Sequence, residues 1–168
     1  MKHLRAAQAI VFMLLAAAGS SVVAAELDGT EAPDFVLKSV SGENLRLSEY
    51  RGRVVLLSFW ASWCGECRTQ LGGLEKLHER FGDEAGFELI TVSLDTNRRQ
   101  AADTASAVKA AYPVLLDEGG EVGRLYDVSS MPFVVLIDRE GVVRDVLEGY
   151  RRGGEETYLE RVRVLLTE

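Results

Sequence analysis

Two cysteines separated by two residues, Cys64 and Cys67, constrain the fold of this chain most, because of what lies on either side of them. Residues 53–59 before them are almost continuously apolar and of strand length, as in a strand buried on both faces. After them, apolar residues recur at helical spacing up to Gly82: Leu71, Leu74, Leu77 and Phe81. The sequence therefore predicts a buried strand, a tight turn and a helix whose first turn carries both cysteines.

This placement predicts that the cysteines are reactive rather than structural. A helix N-terminus carries unpaired N–H groups and a partial positive charge, which stabilise a thiolate and lower a cysteine pKa from its free value of about 8.5. A structural disulfide stabilises by closing a long loop, whereas a bridge across two residues closes a very short one. We therefore expect Cys64 to be the nucleophile and Cys67, about one turn further on, to be the resolving cysteine.

Paired cysteines also occur in metal sites, which is the alternative to redox chemistry. Zinc usually takes four protein ligands, or three and a water. Residues 26–168 offer only His78 besides the pair, and a lone histidine on a helix is more often a surface residue than a ligand. The sequence predicts no metal and no cofactor.

The rest of the chain indicates one α/β domain with a mixed central sheet and helices on both faces. The predicted strands are a hairpin over 39–47 that turns at 41–44, then 53–59, 87–94, 133–137 and 142–147, with a short strand at 114–116. Besides the helix after the cysteines, the predicted helices span 101–112, 120–126 and 158–166. A chain of 168 residues is long enough to bury a core of its own.

Residues 1–25 have the layout of a secretory signal, and we assign 26–168 to the domain. Lys2, His3 and Arg5 precede an apolar run at 9–18, and small residues at 23–25 suit a signal peptidase. Such a run spans about 15 Å as a helix, roughly half a bilayer core; an uncleaved N-terminal anchor is the alternative. We expect export to the periplasm, where cysteine pairs meet an oxidising environment.

The net charge argues against one class of partner. It is −7 for the whole chain, and removing residues 1–25, with Lys2 and Arg5 but no acid, makes it −9. No basic cluster marks a nucleic-acid footprint, and an acidic surface repels phosphate. The sequence therefore predicts no nucleic-acid partner.

Three segments together resemble the TlpA/ResA-type thioredoxin-like proteins over about residues 32–167. They are Ala32-Pro33-Asp34-Phe35, the stretch from Trp60 to Arg68 around the cysteines, and the stretch from Tyr126 to Pro132 with the apolar strand after it. The resemblance implies a single thioredoxin-like domain and a thiol–disulfide oxidoreductase acting on protein disulfides. Family members typically reduce apocytochrome c or other disulfide proteins and receive electrons from a membrane-bound thiol donor.

The resemblance also implies roles for residues around the pair. The Met131–Pro132 bond would be cis, would pack against Cys64 and would offer its backbone to an extended substrate segment. Trp63 would shield the sulfurs and present an apolar surface to the substrate. Trp60 is expected in the core instead.

Gly65 and Glu66 fill the two positions between the cysteines, and Glu66 stands where the family usually has proline. We expect the Glu66 carboxylate to disfavour the Cys64 thiolate, which favours the disulfide and makes the dithiol a stronger reductant. A solvent-facing glutamate that interacts with the helix dipole is the alternative interpretation.

Two further departures from the family pattern concern the same helix and the strand before it. Gln70 and Ser58 stand where related proteins carry buried acids, so a carboxylate relay is not expected at those positions. Gly72, followed by Gly73, replaces the family's helix proline, and the pair predicts a soft or kinked helix.

Three other functions remain as alternatives. A disulfide oxidant or isomerase would use the same scaffold with a different potential. A thiol peroxidase shares the opening at 32–35 but carries Thr-x-x-Cys, whereas position 61 is alanine. A non-catalytic binding module would keep the fold and would not need the cysteines.

Overall fold

The computed structural model describes residues 27–82, 86–150 and 153–168. These ranges contain seven strands, four helices and one 3-10 turn, at Leu47–Tyr50. The strands are β1 (Val36–Ser39), β2 (Asn44–Arg46), β3 (Val54–Trp60), β4 (Phe87–Ser93), β5 (Val114–Leu116), β6 (Phe133–Ile137) and β7 (Val143–Glu148). The helices are α1 (Gly65–Phe81), α2 (Arg98–Ala107), α3 (Glu121–Leu125) and α4 (Gly154–Thr167).

The strands form one mixed sheet in the order β2-β1-β5-β4-β3-β6-β7. β4 pairs in parallel with β3 and β5, and the other pairs are antiparallel. All seven residues of β3 are buried, which explains why the run is apolar except at Ser58. The predicted mixed central sheet is confirmed.

Alternate residues of β3 face two separate cores, because successive side chains of a strand point to opposite faces. On one face, Val54, Leu56 and Trp60 pack with buried residues of α1, α2 and α4. On the other, Val55, Leu57 and Phe59 pack with Val122 of α3 and Leu47 of the 3-10 turn. The prediction of helices on both faces is confirmed.

Helix α2 is shorter than the periodicity predicts. The predicted helix runs to residue 112, but α2 ends at Ala107 and Lys109 adopts a left-handed φ of 56°. The N–H of Ala110 then donates to the carbonyl of Ala105 at 3.0 Å and closes the helix end. Tyr112 is buried beyond it, and its hydroxyl donates to the Leu71 carbonyl of α1 at 3.1 Å. This tertiary contact accounts for an apolar position that looked helical.

Helix α1 is continuous over its 17 residues despite its two glycines. The two glycines therefore do not interrupt the helix, and the soft or kinked geometry expected at Gly72 and Gly73 stays a prediction. A Cβ atom on Gly73 would overlap the Cγ atom of Glu155 in α4, whereas one on Gly72 would meet nothing within 4 Å. Gly73 thus leaves room for the Glu155 side chain of α4.

The predicted export signal, residues 1–25, lies outside the described residues. Within the described ranges, no helix is both long enough and apolar enough to cross a membrane.

Candidate active site

The sheet brings two segments of the chain together at one edge. Phe59, near the carboxyl end of β3, lies opposite Phe133 at the start of antiparallel β6. The turn that follows β3 and the loop that precedes β6 must therefore lie side by side. These are the segments that carry Cys64 and Pro132.

Cys64 caps the N-terminus of helix α1 and forms a disulfide with Cys67, with a sulfur–sulfur distance of 2.07 Å. The Cys64 Sγ atom accepts a hydrogen bond from the Cys67 N–H at 3.1 Å, as the side chain of a helix cap does. Cys64 is partly exposed, whereas Cys67 is fully buried. This is the arrangement that an attacking and a resolving cysteine require.

The two tryptophans near the pair lie in opposite environments. Trp63 is 71% exposed directly before Cys64, so its indole is available to a partner. Trp60 is fully buried in the core on the α1 side, as predicted. Gly65 and Glu66 are exposed on the first turn of α1. A substrate-binding role for Trp63 stays a prediction.

The Met131–Pro132 peptide bond is cis, as the resemblance implies. Met131 is half-buried and packs on the same apolar cluster as Cys64. The Pro132 carbonyl accepts a hydrogen bond from the Gly149 N–H at 2.8 Å. The Ser130 hydroxyl donates to the Glu148 carboxylate, also at 2.8 Å. The loop beside the disulfide is therefore tied to the end of β7.

A buried polar chain connects β3, α1 and α4 below the cysteine pair. The Ser58 hydroxyl donates to Gln70 Oε1 at 3.2 Å, and Gln70 Nε2 donates to the Tyr158 hydroxyl oxygen at 2.8 Å. Burial raises the pKa of Tyr158 above its usual 10.0, and the hydrogen bond from Gln70 offsets part of that rise. All three side chains are therefore neutral at physiological pH, and two of them, Ser58 and Gln70, occupy the positions at which no carboxylate relay was expected.

His78 is not the surface residue that we predicted. It is half-buried, and its ring packs edge-on against Tyr112 with the centroids 5.9 Å apart. In the part of the chain that the structure describes, no group of three or more His, Cys, Asp or Glu residues could hold a metal ion.

Three residues at the site were not predicted: Asp95, Glu148 and Tyr158. Asp95 binds the turn before Cys64, Glu148 binds the loop before Pro132, and Tyr158 ends the buried chain. Asp95 had a recognisable signal, because it follows an apolar strand and polar residues at strand ends often gather at one edge of a sheet. Glu148 and Tyr158 had none, because their partners are distant in sequence.

Relatives of this chain carry the same fold and chemistry. The AhpC/TSA family profile matches residues 29–146. The thioredoxin-like protein YneN of Bacillus subtilis is 34% identical over 123 residues, which are 73% of this chain and 72% of that one. The thiol-disulfide oxidoreductase ResA of Geobacillus kaustophilus is 31% identical over 148 residues, 84% of each chain.

Solved structures agree with these sequence matches. A Chlorobium tepidum protein assigned as a thiol:disulfide interchange protein DsbE superposes with a TM-score of 0.78 at 35% identity, over 83% of this chain and 97% of that one. A Bacteroides thetaiotaomicron protein assigned as a protein disulfide isomerase gives 0.77 at 32% identity, over 84% and 91%. The chain therefore belongs to the AhpC/TSA family, and it is a thioredoxin-like thiol–disulfide oxidoreductase that works through Cys64 and Cys67.

Proposed function

We propose that this oxidoreductase is exported and acts as a reductant of protein disulfides. The observation that carries the exchange with a protein disulfide is the contrast within the pair: Cys64 is partly exposed next to an exposed Trp63, whereas Cys67 is buried. An accessible sulfur next to an exposed aromatic surface suits a large, partly apolar substrate rather than a small polar one.

The geometry suits a two-step exchange that starts from the dithiol. The Cys64 thiolate attacks a substrate disulfide, which forms a mixed disulfide and releases one substrate thiolate. The Cys67 sulfur then attacks Cys64 Sγ, which releases the second substrate sulfur, and the proton of Cys67 ends on that leaving group. Two electrons pass to the substrate, and the protein is left with the Cys64–Cys67 disulfide seen in the structure.

Apocytochrome c is our candidate substrate, and a membrane-bound thiol protein is our candidate electron donor. The support is the resemblance of the active-site segment to TlpA/ResA-type proteins and the match to relatives named ResA. Because the donor must reduce the Cys64–Cys67 disulfide again after each turnover, a reductase outside the cytoplasm needs such a partner.

Export is proposed from the layout of residues 1–25. We expect full-length protein to reach the periplasm and a chain beginning at residue 26 to remain in the cytoplasm. Cell fractionation of both forms tests this, and an equal distribution would contradict it. Treatment of the membranes with salt or alkali then distinguishes a cleaved segment from an anchor. Protein whose segment has been cleaved is released, whereas anchored protein stays with the membrane.

The redox potential of residues 26–168 tests the direction of electron flow. We expect a value near or below that of thioredoxin, about −270 mV, measured by equilibration in thiol buffers with alkylation of the free cysteines. A value near that of a strong oxidant, about −120 mV, would contradict the reductase and indicate disulfide insertion.

Two controls separate the remaining alternatives. Consumption of hydrogen peroxide by the reduced protein would indicate a thiol peroxidase, although alanine occupies position 61 where peroxidases carry threonine. Cells that carry the variant Cys64→Ser,Cys67→Ser should lose function. Full function in those cells would mean that the fold acts as a binding module.

A further inference from the structure

Asp95 is a buried carboxylate that holds the turn before the active-site cysteine. Its side chain lies just beyond β4, which runs parallel to β3 and ends beside it, so that Ser93 is level with Trp60. Asp95 is only 2% exposed. The Ser62 N–H donates to both carboxylate oxygens, at 3.0 and 3.1 Å, and the Ser62 hydroxyl donates to Oδ1 at 2.7 Å.

The other contacts of Asp95 fix it to the sheet. The Ser93 hydroxyl donates to Oδ2 at 2.9 Å, and the Asp95 N–H donates to the Ser93 hydroxyl oxygen at 3.2 Å. No lysine, arginine or histidine of the described ranges forms an ion pair with Asp95. A buried charge without a cation is costly unless hydrogen bonds satisfy it, and most of the donors come from one residue of the active-site turn.

That residue is part of the turn that delivers Cys64 to helix α1. The Cys64 N–H donates to the Ala61 carbonyl at 3.1 Å, so residues 61–64 form a hydrogen-bonded β-turn with Ser62 at its second position. Holding Ser62 therefore limits where Trp63 and Cys64 can go. Within the described residues, no other side chain bonds to Ser62.

We propose that Asp95 is a positioning residue that keeps Cys64 Sγ within reach of Cys67 when the two are not bonded. A held turn raises the effective concentration of each sulfur towards the other, which favours the disulfide and speeds release of a mixed disulfide. This inference rests on the dithiol exchange of the proposed function, but not on its direction, location or substrate.

The test compares Asp95→Ala with Asp117→Ala in residues 26–168. Asp117 is a matched control, because it is 3% exposed and accepts the N–H groups of Glu121 and Gly123 at 2.9 and 2.8 Å without contacting the active-site turn. In Asp95→Ala, we expect the equilibrium constant for reduction by glutathione to rise about threefold, equivalent to about 14 mV. Its mixed disulfide with glutathione should survive about ten times longer by mass spectrometry, and Asp117→Ala should change neither quantity.

Asp95→Asn distinguishes position from charge. Its carbonyl oxygen can still accept from Ser62, and its amide can donate to the Ser93 hydroxyl, so positioning predicts that it restores most of the wild-type values. If Asp95→Asn behaves like Asp95→Ala, the charge rather than the position of Asp95 matters and the proposal is wrong. It is equally wrong if Asp95→Ala loses stability but keeps both redox quantities.

Ser62→Ala keeps the proposal testable should Asp95→Ala fail to fold. It removes only the 2.7 Å hydroxyl contact and should shift both quantities in the same direction by a smaller factor. An unchanged Ser62→Ala would then contradict the proposal. The wild-type potential tests the proposed function separately, because the inference depends only on differences between variants.

Discussion

Glu66 lies between the two cysteines on the first turn of α1, and its side chain is exposed. A carboxylate about 6 Å from a thiolate costs the thiolate about 0.7 kcal/mol where the solvent screens it fully, and up to about 3 kcal/mol at an effective dielectric of 20. The exposure of Glu66 favours the lower figure. It leaves room for both interpretations, a small redox effect and a favourable interaction with the helix dipole.

Glu66→Gln should therefore make the potential less negative by only about 15 mV, because removing the charge stabilises the Cys64 thiolate and with it the reduced state. Equilibration in thiol buffers measures the shift, and the pH dependence of Cys64 alkylation measures the thiolate. Glu79→Gln is the matched control, since Glu79 is an exposed glutamate of the same helix far from the pair. If neither measurement separates the two variants, Glu66 does not tune the site.

At the scale of elements, Gly73 of α1 makes room for a side chain of α4. Glycine in a helix costs up to about 1 kcal/mol relative to alanine, and α1 contains two of them side by side. Their surroundings differ: Gly72 faces open space, whereas Gly73 faces the side chain of Glu155. At Gly73 the lower helix propensity of glycine is thus accompanied by a contact that alanine would disturb.

Gly72→Ala should raise the free energy of unfolding by about 0.5–1 kcal/mol, because helix propensity improves and nothing is displaced. Gly73→Ala should be about 1 kcal/mol less stable than Gly72→Ala, because the new methyl group forces the Glu155 side chain away. Urea unfolding of both variants measures this. Gly73→Ala,Glu155→Ala should recover most of the loss, and a Gly73→Ala protein as stable as Gly72→Ala would contradict the argument.

At the scale of the whole molecule, Asp34 ties the segment before β1 to the 3-10 turn after β2. Its carboxylate accepts from the Ser48 N–H at 2.9 Å, and from the Ser48 hydroxyl and Arg46 Nη1 at 3.1 Å each. Burial alone would raise the pKa of Asp34. The hydrogen bonds from Ser48 and the charge of Arg46 outweigh burial and hold the pKa below its usual 3.8.

A carboxyl group whose pKa is lowered by folding stabilises the fold above its unfolded pKa, and this contribution is lost as the pH falls through the folded pKa. Asp34→Asn should therefore cost on the order of 0.5 kcal/mol at neutral pH, a small value because the side chain is partly solvated. The difference from wild type should shrink as the pH falls below 3.8, the usual pKa of an aspartate. Urea unfolding at neutral and at acidic pH measures it, and a difference that does not change with pH would contradict the assignment.

Local patterns were enough to predict the strand, turn and helix around Cys64 and Cys67. The apolar run of β3 and the helical spacing of α1 follow from the two periodicities of the backbone, and both are properties of neighbouring residues. Tyr112 shows where such patterns fail, because it is buried by a contact with α1 and not by a helix of its own. The cis bond before Pro132 was expected only from resemblance.

Local patterns therefore predicted the reactive cysteine pair and its place at a helix N-terminus, and the order of the predicted elements indicated a mixed sheet. Only the tertiary structure shows the hydrogen bonds that surround the cysteine pair. Ser62 meets Asp95 across 33 positions, and Gln70 meets Tyr158 across 88. Hydrogen bonds of this kind depend on which strands pair and which helix covers them. Short-range periodicity cannot predict which strands pair or which helix covers them, because the packing of the whole chain decides both.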